Sequence, residues 1–190
     1  MNNSPQEYLN FANKLADVAG ITSMEYFRTS LSIDNKSDES PVTIADKNTE
    51  LKIRSLIENE YPDHGILGEE FDSVNPDAEF IWVIDPIDGT RSYIAGHKDF
   101  GNLISLTQNK KPIIGIINCP AHDERWVGAK NQSSTVNQQT VNTSNVTAIE
   151  DAYIFTSGLY FVEPQLRNAV DKIKNKVRYF RYGGDCYVYG

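Results

Sequence analysis

Cysteine is scarce in this chain of 190 residues: Cys119 and Cys186 stand far apart and outside any metal-ligand spacing. That excludes a disulfide framework and a cysteine zinc site, and it fits a reducing compartment. Positive charge is in deficit, with 18 Lys and Arg against 26 Asp and Glu, a formal net charge of −8. Such a balance argues against a nucleic-acid groove and against an anionic membrane surface. Long hydrophobic runs are missing, so no segment approaches the roughly 20 residues of a membrane-spanning helix. The opening MNNSPQEYLNFANK has no basic segment followed by an apolar run, which argues against a signal peptide. A cytoplasmic location is the expectation. Internal repeats and low-complexity tracts are also absent. What is present is a globular composition, 39% hydrophobic, long enough for a real core in one domain or one and a half. Acidic residues collected in one place would attract cations.

Ser4-Pro5-Gln6-Glu7 predicts a helix start, with Ser4 as cap and Glu7 closing a capping box. Leu9, Ala12, Leu15, Ala16 and Ala19 then share one helical face. A polar loop, DNKSDESP, follows. A second helix is expected from about Thr43, with Leu51, Ile53, Leu56 and Ile57 as its apolar residues, ending in the turn Tyr61 to Gly65. GILGEE and FIWVI read as strands, the second covered on both faces. NLISLTQ and PIIGIINCP read as further strands, joined by a hairpin turn at Asn109 to Pro112. From Asn131 to Asn145 the chain is a polar linker or a set of exposed edge strands. AYIFTSG is a strand, a helix carries Leu166, Ala169, Val170, Ile173 and Val177, and VRYFRY is a last strand. Gly183-Gly184-Asp185 looks like a turn into a helix. Little chain follows that turn, which suggests a longer protein cut short.

The chemistry concentrates in WVIDPIDGTRSY, residues 82–93. A residue before proline is pushed toward extended geometry, so Asp85 is expected to end its strand, with Asp88 pointing back beside it. Gly89 permits the sharp bend. Two adjacent carboxylates in a partly buried turn repel unless protonated or bridged by a cation, and Mg²⁺ suits carboxylate, carbonyl and water ligands. The cation and the free N–H groups after Gly89 would both attract phosphate. If the two strands are neighbours, Glu69 lies at the same end as Asp85 and supplies another ligand. Each piece also has a plain structural reading. An isolated D-x-x-D is usually a solvated turn. Asp46 closes a capping box with Thr43. His64, His97 and His122 read as surface residues, and Tyr179, Phe180 and Tyr182 as core and rim. The case rests on the set: T-I-A-D, G-E-E and D-P-I-D-G-T.

That set resembles the inositol monophosphatase superfamily of Mg²⁺-dependent, lithium-sensitive phosphatases. The resemblance runs from Lys36 in KSDESPVTIAD through LGEE, WVIDPIDGT and GIINCP to RYGGDC. Within it, SPVTIADK, DPIDGTRSYIAGHKDFGNLISL, ERWVGAK and RYGGDCY are most similar to the histidinol-phosphate phosphatase branch. The resemblance implies a layered α-β-α-β-α sandwich of the inositol monophosphatase and fructose-1,6-bisphosphatase type. A metal-binding αβ domain would cover 1–145, and an incomplete second αβ domain 146–190. It implies Mg²⁺, as two or three ions. Glu69, Asp85 and the carbonyl of Ile87 would hold the first, and Asp85 with Asp88 the second. Thr90, linked to Asp46, would orient and help deprotonate the attacking water. Gly89 and Thr90 N–H groups would grip the phosphate, with Glu70 behind the ligands. Gly184, Asp185 and Cys186 would touch the organic part of the substrate. There Asp185 could suit an amine such as that of histidinol phosphate, or could simply cap the next helix. A homodimer is implied as well.

The family supplies a further aspartate to the second metal from a W-D-like motif downstream of G-G-D, and this sequence stops before it. Weak second-metal binding and low activity are therefore the expectation for a chain ending at Gly190. No Ser or Cys nucleophile with an adjacent base is evident, so direct attack by water is preferred over a phosphoenzyme. The leading expectation is a histidinol-phosphate phosphatase acting on a small phosphate ester. An inositol- or nucleotide-phosphate phosphatase is the first alternative, and a non-catalytic member that binds a protein partner is the second.

Overall fold

The computed structural model describes residues 4–30, 33–35, 41–159 and 162–190. Helix α1 spans Pro5–Tyr26, and both halves of its capping box form between Ser4 and Glu7. Its inner face is Tyr8, Phe11, Ala12, Leu15, Ala16 and Ala19, all buried. Strands β1 (Ile33–Asn35) and β2 (Pro41–Thr43) pair antiparallel, so a short hairpin stands where the sequence reads as a loop. The middle of that loop, 36–40, and with it the Lys36 end of the family motif, lies outside the described residues. Helix α2 spans Ile44–Glu60 and starts in a second capping box, Thr43 with Asp46. Ile53 and Ile57 are buried, whereas Leu51, expected among the apolar residues, is 49% exposed.

The main sheet holds β3 (Gly65–Gly68), β4 (Phe80–Asp88), β5 (Gly101–Gln108), β6 (Lys111–Cys119), β7 (Glu124–Ala129), β8 (Thr135–Val136) and β9 (Gln139–Thr140), in that order. Only β3 and β4 run parallel; the rest is a meander of antiparallel neighbours. Asn109 and Lys110 both take positive φ in the two-residue turn between β5 and β6, the geometry a tight hairpin demands. The polar stretch after residue 130 yields the β8–β9 hairpin, so the edge-strand alternative holds for part of it.

Helices α1 and α2 cover one face of this sheet. Trp82, Ile84, Ile104, Leu106, Ile114 and Ile116 point into that core. Burying such a side chain contributes about 1.5–3 kcal/mol. Ile81 and Val83 on the other face of β4 are only half-buried, so the strand is not covered equally on both sides. Antiparallel sheets tolerate that asymmetry, and five of the six strand pairs here are antiparallel.

Beyond the main sheet, β10 (Tyr153–Thr156), α4 (Arg167–Lys174) and β11 (Tyr179–Tyr182) form a β-α-β unit whose strands pair in parallel. The helix holds Ala169, Val170 and Ile173 of the expected apolar residues, whereas Leu166 lies in the 3-10 turn before it and Val177 after it; Leu166 and Ile173 are exposed, as are Tyr179 and Tyr182. These two tyrosines are therefore not core. Gly184 precedes a 3-10 turn at Asp185–Tyr189, which packs against β6. Among the described residues no helix is long and apolar enough to cross a membrane.

Candidate active site

The acidic residues meet at the end of β3 and β4. Parallel pairing of Gly68 with Ile84 places the following residues, Glu69 and Asp85, side by side at one sheet edge. Their carboxyl groups hydrogen-bond to each other. The strand does not end at Asp85, as its proline neighbour suggested. It continues to Asp88 through a bulge, with Asp85 opposite Leu103 and Asp88 opposite Gly101. A bulge is where a sheet accommodates proline, because the extra residues need no ladder bond. It also brings Asp85 and Asp88 to one side. Gly89 follows with φ 81, a left-handed conformation, and α3 (Thr90–Ile94) starts immediately.

Electrostatics mark the cluster. Burial, then the neighbouring charges of Glu69, Asp88 and Asp46, push the Asp85 carboxyl up to about 9. Burial also raises Asp88, against hydrogen bonds from the Cys186 thiol and N–H that favour its charged form. Asp46 is raised by burial, partly offset by its bonds from Thr43. Asp85 Oδ1 and Asp88 Oδ2 are buried without a hydrogen-bond partner. Among the described residues no three His, Cys, Asp or Glu side chains converge at ligating spacing. The carboxyl groups are gathered, and burial beside Glu69 favours a protonated Asp85. A divalent cation fits this donor set, since it would replace that proton and satisfy the orphaned oxygens.

Thr90 Oγ1 donates to the Ile87 carbonyl at 3.0 Å and lies 3.5 Å from Asp46 Oδ1. Asp46 Oδ2 takes the Thr43 N–H and hydroxyl, at 2.8 and 2.6 Å. The capping role and the link to Thr90 therefore coexist, one on each carboxylate oxygen. Gly184 stands at the head of the 3-10 turn with φ 97. Cys186 is fully buried, with its thiol on Asp88 and on Cys119. Asp185 bonds Ser92. A cleft of about 900 Å³ opens beside Asp85, lined by Val83, Leu103, Trp126 and Tyr189 among others.

The model of the inositol monophosphatase family matches residues 4–189. The chain belongs to this family. It is 38% identical over 179 residues to the bifunctional phosphatase IMPL2, chloroplastic, of Arabidopsis thaliana, covering 93% of this chain but 52% of that protein. The chain thus spans about half the length of that relative. It is 36% identical over 181 residues to a histidinol-phosphatase of Chlorobaculum parvum, covering 94% of this chain and 70% of that one. An inositol monophosphatase structure from Zymomonas mobilis superimposes with a TM-score of 0.87 at 41% identity, over 100% of this chain and 73% of that one. The mixed α/β architecture is that of the inositol monophosphatase fold.

In this family member two buried residues brace the site that sequence reasoning missed. Glu50 is fully buried on α2; its Oε2 accepts the N–H groups of Glu69 and Glu70, at 3.0 and 2.8 Å. Its Oε1 accepts from Arg54 Nε at 2.7 Å. Gly68 must be glycine here, since a Cβ would lie 1.9 Å from Glu50 Oε1. Asn102, also fully buried, donates to the Pro86 carbonyl at 2.7 Å and accepts from Asn118 at 2.8 Å. The signal for Glu50 was available: Glu50 and Arg54 stand at i,i+4 beside Ile53 and Ile57 on the buried helix face. His64 was read as surface but sits among Tyr8, Tyr61 and Phe80, accepting the Trp82 indole N–H at 3.1 Å.

Proposed function

We propose that this chain is the metal-binding core of a Mg²⁺-dependent phosphomonoesterase that hydrolyses a small phosphate ester, histidinol phosphate, by direct attack of water. One observation carries the reading: Asp85 Oδ1 and Asp88 Oδ2 are buried without partners beside Glu69. Buried polar atoms are nearly always paired, so two orphaned carboxylate oxygens in one turn speak for an ion. Glu69, Asp85 and the Ile87 carbonyl would hold one Mg²⁺, and Asp85 with Asp88 another. When bound, Mg²⁺ supplies positive charge that lowers the pKa of water and stabilises the leaving oxygen. The protein's own groups orient the reaction. Asp46, pinned by Thr43, faces the Thr90 hydroxyl, which is placed to hold the attacking water and pass on its proton. Gly89 and Thr90 N–H groups are the candidates for the phosphate oxygens, and Glu70 steadies the turn from behind. The homodimer, the cytoplasmic location and two αβ units meeting near residue 145 belong to the same reading.

Phosphate release from histidinol phosphate and from inositol 1-phosphate, compared at equal Mg²⁺, tests it. The expected result is a kcat/KM at least about tenfold higher on histidinol phosphate, about 1.4 kcal/mol of discrimination. The reverse order supports the inositol-phosphate reading, which the 41% identity to the Zymomonas mobilis structure favours. No release from either ester contradicts a phosphatase.

A further inference from the structure

The end of the candidate site is closed by a bond between residues far apart in sequence. Ser92 Oγ donates to Asp185 Oδ2 at 2.5 Å. Asp185 also packs directly on Gly89: a Cβ there would lie 3.0 Å from the Asp185 Cβ and 3.1 Å from Oδ2. The segment between these contacts holds the candidate catalytic Thr90, and the candidate ligand Asp88 immediately precedes it. It is tied down elsewhere too. Thr90 Oγ1 reaches the Ile87 carbonyl, and the Tyr93 hydroxyl donates to the Ser23 carbonyl at 2.6 Å. The His97 N–H closes on the Ser92 carbonyl at 2.9 Å. Asp185 itself is held in a left-handed conformation, φ 40, so its carboxyl is aimed by a backbone that few side chains adopt. One of its oxygens is thereby committed to Ser92.

We propose that Asp185 is a positioning residue. Through Ser92 it clasps the Asp88–Ser92 turn and sets its geometry, instead of reading the organic part of the substrate. This rests on the phosphatase reading for its kinetic consequence, but the clasp itself is a property of the folded chain. Placing a carboxylate against Asp88 adds like charge beside a candidate ligand. That arrangement is costly without a cation and helpful with one, so the clasp and the cation site favour each other.

The test uses Ser92→Ala, Asp185→Asn, Asp185→Gly and the Ser92→Ala/Asp185→Gly double variant. Glycine and asparagine are chosen because both tolerate the left-handed backbone, which alanine would strain. Two readouts are needed: amide hydrogen exchange over residues 88–95 without substrate, and kinetics on histidinol phosphate and on the amine-free inositol 1-phosphate. The clasp predicts that Ser92→Ala and Asp185→Gly each speed exchange about tenfold. Each also lowers kcat about tenfold on whichever ester is hydrolysed, with KM little changed. The double variant is no worse than either single one, as for two partners of one bond. Asp185→Asn keeps an acceptor for Ser92 and stays within about threefold of the wild type. The proposal is overturned if Ser92→Ala leaves exchange unchanged, or if Asp185→Asn raises KM for histidinol phosphate alone. Should the wild type hydrolyse neither ester, the phosphatase reading fails, and the exchange data still decide the clasp.

Discussion

At the scale of single residues, the site is built from acids that are uncomfortable where they sit. Asp85 is the clearest, its carboxyl raised to about 9 by burial and by Glu69. Its folded pKa lies above the unfolded value, so the native state binds the extra proton. Stability of the metal-free protein therefore falls as pH rises from about 4 toward 9. At the proposed metal site Mg²⁺ would compete with that proton, so the rise in Tm on adding Mg²⁺ should grow across pH 5 to 9; a shift independent of pH would contradict this. Glu50 is the opposite case, a buried acid with every oxygen satisfied. Glu50→Ala would leave Arg54 uncompensated and free two N–H groups, at a cost of about 3–5 kcal/mol in urea unfolding. Asp46 and Asp88 were recognisable in the sequence because their spacing around Thr43 and Gly89 is local. Asn102 was not singled out, because its partners at Pro86 and Asn118 lie on other strands; Glu50 showed only its Arg54 half in the sequence, since the fold alone brings it to the N–H groups of Glu69 and Glu70.

At the scale of elements, the strand pair β3–β4 does the positioning. Parallel register alone sets Glu69 beside Asp85, which the sequence could state only conditionally, since pairing is not written in either strand. The capping boxes of α1 and α2 were legible in full and the β5–β6 hairpin nearly so, its turn being Asn109–Lys110 where the sequence suggested Asn109 to Pro112, because each is fixed by a few consecutive residues. The continuation of β4 past Pro86 was not: it depends on β5 having one residue fewer to match. The aromatic cluster around His64 anchors the start of the same two strands. Burial holds the His64 imidazole below its usual pKa of 6.5. The unfolded chain therefore takes up the proton first, and the cluster contributes fully above about pH 6.5 and less as pH falls below it. Tm measured between pH 7.5 and 5.5 should show a decline that His64→Phe reduces. Trp82→Ala, which removes the largest buried side chain of β4, should cost about 3–5 kcal/mol.

At the scale of the whole molecule, two helices on one sheet face create a dry core, and the proposed chemistry lies at the sheet's edge, where Glu69, Asp85 and Asp88 gather. On the proposed reading, stability and function oppose each other there, since like charges would be assembled for a cation. That opposition gives the most direct test: Tm of wild type and of Asp85→Asn at pH 8, with and without Mg²⁺. The account predicts that Asp85→Asn melts higher than the wild type when metal-free, because it removes the cost of keeping a carboxyl protonated at a pH where the unfolded chain ionises it. It also predicts that Mg²⁺ raises the wild type by several degrees and leaves the variant unmoved; at about 2–4 °C per kcal/mol for a domain of this size, both effects are measurable. A variant that responds to Mg²⁺ as the wild type does would contradict the account at its centre.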